Sequence, residues 1–494
     1  MQPTRAIPIL IAFILSLNAP AAPRAGDEAA RLAGRALGET PLLDDLRDLC
    51  DHVGGRPTGS PSCERAMEWA AARFRAAGFD SVVQESFRVP ALWLPGREEA
   101  ECLAPERFPI RVAGAPYAPP TPGGRPIEGR VLDAGAGAPE DFARLGPDAR
   151  GALALVRSAQ MATLSDLFTE YMRSAPMLEA ARQAGVSGLL LMSTRPRGLL
   201  YRHPVTLNAT MAPMPVAMVS REHASRLARL IEKGVVRARL ALDSRVGGAY
   251  ESRNVVAEIR GREKPEEIVL MGAHLDSWDL GTGALDNGVN AALVIDAARG
   301  MKELGLVPRR TIRFVLFTGE EQGLWGSAGY VSRHASEMDR HVAVVIHDIG
   351  SGRITGFYLN GREELRGPVS EALLPVEGLG PFNHPDEAID GTDNLDFLLS
   401  GVPNLVAAQD AEPYLPDYHA ESDVLERVDA RQARINAAIA SALVWSLADS
   451  PARAAARQTR GEVEKLVRDS GLEGQMKAFG QWEDFMAGRR GASR

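Results

Sequence analysis

Strand and helix patterns alternate along the chain from Asn254 onward. Short hydrophobic runs predict strands at 268–272, 311–317, 342–346 and 402–408. Helical patterns fill the two intervals 287–304 and 324–336. Strands that alternate with helices form parallel sheets, in which the carboxyl ends of the strands lie at the same edge. The sequence therefore predicts an α/β fold with a mostly parallel central sheet flanked by helices.

Two histidines and four carboxylates lie close to the ends of these strands. In chain order they are His274, Asp286, Glu320, Glu321, Asp348 and His419. Ligands of open α/β sheets bind beyond the carboxyl ends of the strands, where all six side chains are expected. Neutral imidazoles mixed with carboxylate oxygens suit zinc, and one aspartate can bridge two ions about 3.5–4 Å apart. The pattern predicts a two-metal hydrolase.

Each of these residues also has a plain structural interpretation. His274 with Asp276 forms an H-x-D pair, in which the aspartate either hydrogen-bonds the ring or stays in the loop. Asp286 could cap the next helix, and Glu320 with Glu321 could form a solvated loop end. However, the two glutamates directly follow an apolar strand, where buried like charges need a cation. The joint agreement with the strand ends favours a metal site.

Composition and charge exclude some classes of partner. The 494 residues are 45% hydrophobic and 24% charged, which is typical of a globular chain with two or three domains. The net charge of −8 argues against a nucleic-acid or anionic membrane surface as the main partner. Small or neutral substrates fit better.

The first residues predict a cleavable signal peptide at 1–22. Arg5 precedes an apolar run at 6–17, and small residues follow at Ala19, Ala21 and Ala22. The run is too short for a membrane span, which needs about 20 residues. A secreted or periplasmic protein is therefore expected. In such an oxidising compartment, one pair among Cys50, Cys63 and Cys102 could form a disulfide, although the sequence does not show which pair.

The middle of the chain predicts a smaller α+β module. Short β-like runs at 152–156, 188–192 and 216–219 are separated by helical patterns at 178–185 and 222–233. Asp148-Ala-Arg-Gly-Ala-Leu-Ala-Leu-Val-Arg157 resembles the start of a protease-associated domain. This resemblance implies an inserted domain at 127–245, which either selects substrates or serves only as a spacer or lid.

Three motifs resemble the secreted di-zinc exopeptidases of the plasma glutamate carboxypeptidase (carboxypeptidase Q) type. They are His274-Leu-Asp-Ser-Trp-Asp279, Thr318-Gly-Glu-Glu-Gln-Gly323 and Asp417-Tyr-His-Ala-Glu-Ser-Asp423. The resemblance also includes Gly55-Arg-Pro-Thr-Gly-Ser-Pro61 and Gly391-Thr-Asp393. It implies the phosphorylase/hydrolase-like zinc peptidase fold of the wider di-zinc aminopeptidase group, with peptides as substrates.

The resemblance also assigns roles to individual residues. It implies two zinc ions per subunit, with His274 and Asp348 on one ion, Glu321 and His419 on the other, and Asp286 bridging them. Glu320 would be the general base, and Asp276 would orient the ring of His274.

Upstream of the insert, the sequence predicts one helix over 28–52 and a second that Ser60-Pro61 begins and Gly78 ends. The segment rich in proline and glycine from Pro90 to about Gly129 predicts a linker or a loop-rich crossing. The resulting division has five parts. They are a signal peptide at 1–22, N-terminal helices with the first part of the peptidase domain at 28–126, the protease-associated insert at 127–245, the zinc peptidase domain at 250–450, and a helical tail at 451–494. The tail either packs on the surface or joins the subunits of a homodimer.

Two other functions remain open from the sequence. Amidohydrolases of the aminoacylase and carboxypeptidase G2 type use the same ligand order, but they insert a lid domain between the fourth and last ligands. Only about 70 residues separate Asp348 from His419, and the insertion lies upstream instead. A non-catalytic binding protein on a peptidase scaffold should have lost ligands, whereas this chain keeps them all. We expect a dipeptidase or an aminopeptidase.

Overall fold

A computed structural model describes residues 25–492. The predicted signal peptide at 1–22 lies outside the described residues. The helices of the described chain are α1 (Ala25–Leu37), α2 (Leu42–Asp48), α3 (Pro61–Ala76), α4 (Pro139–Leu145), α5 (Leu164–Ala184), α6 (Arg221–Ile231), α7 (Val289–Glu303), α8 (Trp325–Arg333), α9 (Arg366–Ala372), α10 (Leu395–Leu399), α11 (Ala430–Asp449), α12 (Arg460–Asp469), α13 (Leu472–Ala478) and α14 (Trp482–Met486). None of these helices is long and apolar enough to cross a membrane.

The strands form two large sheets and one small ribbon. They are β1 (Val82–Val89), β2 (Leu92–Leu94), β3 (Glu98–Ala104), β4 (Phe108–Ile110), β5 (Val112–Gly114), β6 (Ile127–Asp133), β7 (Leu153–Val156), β8 (Gly188–Met192), β9 (Val216–Val219), β10 (Val236–Leu242), β11 (Arg245–Gly247), β12 (Tyr250–Ile259), β13 (Lys264–His274), β14 (Arg310–Phe317), β15 (His341–Ile346), β16 (Ile354–Tyr358) and β17 (Asn404–Gln409). The ribbon pairs β2 with β11.

The larger sheet has the strand order β1-β12-β14-β13-β15-β17-β16. Its four central strands, β14, β13, β15 and β17, are parallel, and the strands at both edges are antiparallel. The predicted α/β fold with a mostly parallel centre is therefore confirmed. The strands at 268–272, 311–317, 342–346 and 402–408 match β13, β14, β15 and β17 within a few residues.

Both faces of this sheet are buried, which explains why its strands are almost wholly apolar. Alternate residues of β13 point to opposite sides. Val269 and Met271 pack in one cluster with helices α1, α3, α7 and α11, whereas Leu270 packs in another cluster with α8 and α10. Helix α3 begins where the sequence predicted, because the Ser60 hydroxyl accepts from the Cys63 amide at 3.1 Å and Pro61 occupies the first turn.

The smaller unit is a second sheet with the order β4-β3-β10-β6-β7-β8-β9-β5. Helix α5 packs on one face and α6 on the other. This sheet includes strands between Glu98 and Gly114, in a segment that the sequence suggested was a linker or loop-rich crossing. The unit therefore starts upstream of residue 127, the start predicted from sequence.

The N-terminal helical segment differs from the sequence interpretation, whereas the tail agrees with one of its two alternatives. The continuous helical pattern at 28–52 is divided into α1 and α2, with Pro41 just before α2. The helical tail packs on its own chain, where Val467 and Phe485 join a cluster with Leu398 of α10. The interpretation of the tail as a dimer-forming element has no support in the structure.

Candidate metal centre

The six predicted ligand and base residues meet at the carboxyl edge of the larger sheet. His274 is the last residue of β13, and Asp348 follows β15 by two residues. Glu320 and Glu321 lie in the turn after β14, and Asp286 lies in the turn before α7. His419 lies in the loop after β17. The parallel centre of the sheet thus brings together side chains that are far apart in sequence.

The ligand atoms form two groups that share Asp286. In the first group, His274 Nε2 lies 2.8 Å from Asp348 Oδ1 and 3.1 Å from Asp286 Oδ1. In the second, His419 Nε2 lies 2.8 Å from Glu321 Oε2 and 3.4 Å from Asp286 Oδ2. Within each group the ligand atoms lie within 4.8 Å of one another. Asp286 therefore presents one oxygen to each histidine, as a bridging carboxylate would.

The site has the chemistry that a cation needs. In the described part of the chain, Asp286 Oδ2 and Glu321 Oε1 are buried without a hydrogen-bond partner. Burial raises the pKa of Glu321 well above that of an ordinary glutamate, and the Asp286 charge raises it further. Such a concentration of buried carboxylates is costly unless positive charge compensates it. Two imidazoles with carboxylate oxygens are ligands that suit zinc.

Glu320 borders this centre without joining either group. Its Oε2 lies 3.9 Å from His274 Nε2, and its side chain is 10% exposed. Burial raises the pKa of Glu320 well above its ordinary value, although the charge of His274 opposes this shift. Glu320 is thus a carboxylate beside the centre that remains available for proton transfer.

The chain fixes both histidine rings through their Nδ1 atoms. His274 Nδ1–H donates to the carbonyl of Asp276 at 3.0 Å, and His419 Nδ1–H donates to the carbonyl of Arg202 at 3.1 Å. Both Nε2 atoms therefore face the carboxylates, where an unprotonated Nε2 would offer its lone pair to a cation. Asp276 was predicted to orient the His274 ring. Its main-chain oxygen makes this contact, whereas its side-chain Oδ1 lies 3.7 Å from His274 Nδ1.

Sequence reasoning did not identify the residues that hold these loops. Thr58 donates from its hydroxyl to Asp276 Oδ2 at 2.7 Å and accepts from the Gly319 amide at 2.9 Å. Asp423 accepts from the main-chain amides of Leu285 and Asp286 at 2.6 and 3.2 Å. Both residues lie in motifs noticed in the sequence, but their partners are remote in the chain.

Three parts of the chain line the cavity in front of the centre. Helix α5 of the smaller unit contributes Leu167 and Tyr171, and the tail contributes Phe479 and Gln481. The larger domain contributes the candidate ligands together with apolar side chains such as Ile349. The cavity is therefore mainly apolar, with its carboxylates concentrated at the metal centre.

The cysteines play no part in the centre. Cys50, Cys63 and Cys102 are buried free thiols in the structure. Cys50 and Cys63 both pack in the main core cluster of the larger domain, and Cys102 packs in the smaller unit. The disulfide left open by the sequence is not formed in this structure.

Comparisons with known proteins give the chain its family. The model of peptidase family M28 matches residues 254–444. Carboxypeptidase Q of Bos taurus is 30% identical over 409 residues, which cover 81% of this chain and 84% of the relative. A solved peptidase M28 precursor from Shewanella amazonensis SB2B is 28% identical, with a TM-score of 0.79 over 87% of this chain and 98% of its own.

A zinc aminopeptidase from Bacillus subtilis shares the fold, with a TM-score of 0.66 at 20% identity over 84% of this chain and 97% of its own. These findings confirm the predicted resemblance and the prediction of a zinc-dependent exopeptidase. The chain belongs to peptidase family M28.

Proposed function

We propose that the chain is a two-zinc exopeptidase that removes amino-terminal residues from dipeptides and short peptides, with Glu320 as the general base. The observation that carries the proposal is the pair of ligand groups sharing Asp286. Its two carboxylate oxygens lie 3.1 Å from His274 Nε2 and 3.4 Å from His419 Nε2.

His274 and Asp348 would hold one ion, Glu321 and His419 the other, and Asp286 both. Bound zinc supplies a water whose pKa is lowered to near neutrality and a Lewis acid for the peptide carbonyl.

Glu320 then carries the proton between the reacting groups. Its carboxylate accepts a proton from the attacking water and passes it to the nitrogen of the leaving amine. The partly buried position of Glu320 at the cavity wall supports this role, since the carboxylate reaches the centre without being one of its closest ligands. Asp276 supports the reaction indirectly, because its carbonyl fixes the ring of His274.

The charges around the cavity favour recognition of a free amino terminus. Asp390, which has no ligand or base role in the proposal, borders the cavity with one buried carboxylate oxygen unpartnered, while no lysine or arginine is among the lining residues of the cavity within 25–492. An α-carboxylate would need a cation, preferably an arginine. An α-ammonium group would be stabilised by the Asp390 carboxylate, and the apolar side chains would accept an apolar first residue.

A set of matched peptides tests the terminus. Leucyl-alanine, its carboxyl-terminal amide and its N-acetyl derivative differ only in which end is free. We expect hydrolysis of the free dipeptide and the amide, and no hydrolysis of the acetyl derivative. Cleavage of the acetyl derivative with the amide left intact would establish a carboxypeptidase instead.

Metal dependence is tested on the same material. A chelator should abolish hydrolysis, zinc should restore it, and two zinc ions per chain should be found by elemental analysis. Activity that survives exhaustive metal removal would contradict the proposal.

The remaining sequence predictions enter the proposal as follows. We propose that residues 1–22 are removed on export to give a secreted or periplasmic enzyme, which N-terminal sequencing of the exported protein tests.

We also propose that the smaller unit, whose sheet spans Glu98 to Leu242, is a protease-associated domain. Its helix α5 lines the cavity, which supports a role in substrate selection rather than a spacer.

A further inference from the structure

The loop that carries His419 is held by the smaller unit. Tyr201 and Ala420 form an isolated antiparallel bridge. Next to it, the Glu421 amide donates to the Leu200 carbonyl at 3.0 Å, and the Leu200 amide donates to Glu421 Oε1 at 3.1 Å. Two separate parts of the chain are thus joined along a short stretch of backbone, directly beside a candidate zinc ligand.

Arg202 and His419 make the contact that concerns the ligand itself. The Arg202 amide donates to the His419 carbonyl at 3.0 Å, and His419 Nδ1–H donates to the Arg202 carbonyl at 3.1 Å. His419 has a φ of +57°, in the left-handed region that a residue with a side chain rarely adopts. Such a conformation persists only where the surroundings enforce it, and these two hydrogen bonds do so.

The side chain of Arg202 anchors this segment. Its guanidinium binds both oxygens of Asp279, at 2.9 and 2.8 Å, and also Glu98 Oε1 and the Gly114 carbonyl, each at 2.7 Å. The side chain is only 2% exposed. Asp279 lies in the loop between His274 and Asp286, so Arg202 connects this ligand loop to the smaller unit and, through its backbone, to His419.

We infer that Arg202 is a positioning residue for the zinc ion held by Glu321 and His419, so that the smaller unit forms part of the metal centre. The inference rests on the proposed two-zinc function. Arg202 fixes the Nδ1–H tautomer and the strained backbone of His419, which leaves Nε2 aimed at the ion. The other terminal ligands, His274 and Asp348, make no described contact with Arg202, so their ion should depend on it much less.

Arg202→Lys tests this inference, since lysine keeps the charge between two partly buried carboxylates but lacks the planar group that binds Asp279 at two points. The zinc retained by the purified full chain is measured by elemental analysis over a series of buffered free-zinc concentrations. Changes in groups that orient metal ligands typically weaken metal binding about 10–100-fold. We expect one of the two ions to be lost at a correspondingly higher free-zinc concentration, and the other to be retained as in the wild type.

Arg221→Lys is the matched control. Arg221 also lies in the smaller unit, but it donates to the carbonyls of Ser193 and Ser158 and does not contact the loop of His419. Its zinc retention should equal that of the wild type. Far-UV circular dichroism and the thermal midpoint of the metal-free proteins report separately on folding.

The results separate the role of Arg202 from the proposed two-zinc function. Wild-type retention by Arg202→Lys, or equal weakening of both ions, would overturn the inference while leaving the two-zinc function intact. A wild-type chain that binds fewer than two ions would reject the proposed function, and the inference with it. If Arg202→Lys does not fold, Glu98→Gln weakens one anchor by removing its charge and keeps the Asp279 pair, and it should weaken binding of the same single ion by a smaller factor. Unchanged zinc retention in a folded Glu98→Gln would then overturn the inference.

Discussion

The adjacent Glu320 and Glu321 allow the mechanism to be tested with one chemical change at two neighbouring positions. Glutamine has nearly the shape of glutamate but cannot accept a proton at neutral pH. Glu320 lies 3.9 Å from His274 Nε2 and belongs to neither ligand group, whereas Glu321 lies 2.8 Å from His419 Nε2. We therefore expect Glu320→Gln to retain both zinc ions and lose turnover. In contrast, Glu321→Gln should lose the ion that it holds with His419.

The magnitude follows from the role of the base. A positioned general acid–base group contributes about 10²–10⁴-fold to rate. At 1.36 kcal/mol for each factor of ten, its loss raises the barrier by about 3–5 kcal/mol. Because Glu320 bears mainly on the chemical step, the decrease should appear in kcat, with KM changed much less.

Zinc content and steady-state hydrolysis of leucyl-alanine amide are measured on the same preparations. Glu320→Gln with two ions and a decrease of several orders of magnitude in kcat would support the assignment. Full turnover in Glu320→Gln would refute Glu320 as the base. Loss of an ion from Glu320→Gln, with both ions kept by Glu321→Gln, would show that the two roles had been exchanged.

Three other predictions follow from the same structure. His419→Ala should reduce the zinc content from two ions to one, and elemental analysis showing two retained ions would refute its ligand role. Phe479→Ala should lower kcat/KM for leucyl substrates about tenfold, as expected when apolar contact is lost from a substrate pocket. The kcat/KM for alanyl substrates should change little. Equal effects on both substrates would mean that Phe479 does not contact the substrate side chain. Burial lowers the pKa of His341 from 6.5 to about 3. Below pH 6.5 the unfolded chain therefore binds a proton that the folded chain does not. The free energy of unfolding decreases as the pH is lowered from 6.5 to about 3. Between pH 6.5 and 4.5 this single group should lower the free energy of unfolding by about 2 kcal/mol. Urea unfolding of His341→Gln should show a correspondingly shallower decrease, and an equal slope would contradict the prediction.

The central sheet and its candidate ligands could be predicted because both depend on local patterns. A strand buried on both faces is a short apolar run, and the polar residue that ends it lies at the sheet edge whatever the rest of the chain does. For this reason His274, Asp348 and the Glu320–Glu321 pair could be expected to meet at one edge. The start of α3 was also set locally, since Ser60 and Pro61 mark it.

The elements that were missed depend on remote partners. Strands β4 and β5 have three residues each, and they form only because they pair with β3 and β9. Their segment is rich in proline and glycine, so it resembles a linker until those partners are known. Edge strand β16 likewise gains its structure from β17. The same limit applies to Thr58 and Arg202, whose partners at the site lie more than 200 residues away.

Helix α5 and the tail both line the cavity, and this explains why an enzyme with this centre would act only at the ends of peptide chains. Tyr171 and Phe479 lie 6.1 Å apart between ring centroids and come from the smaller unit and the tail, respectively. Together with Leu207 they form an apolar wall of the cavity that also contains the candidate ligands. An internal peptide bond would need open space on both sides of the centre, whereas a wall of this kind leaves room for a terminal residue on one side. We therefore expect the exopeptidase character to depend on this wall, and the chemistry to depend on the residues at the sheet edge.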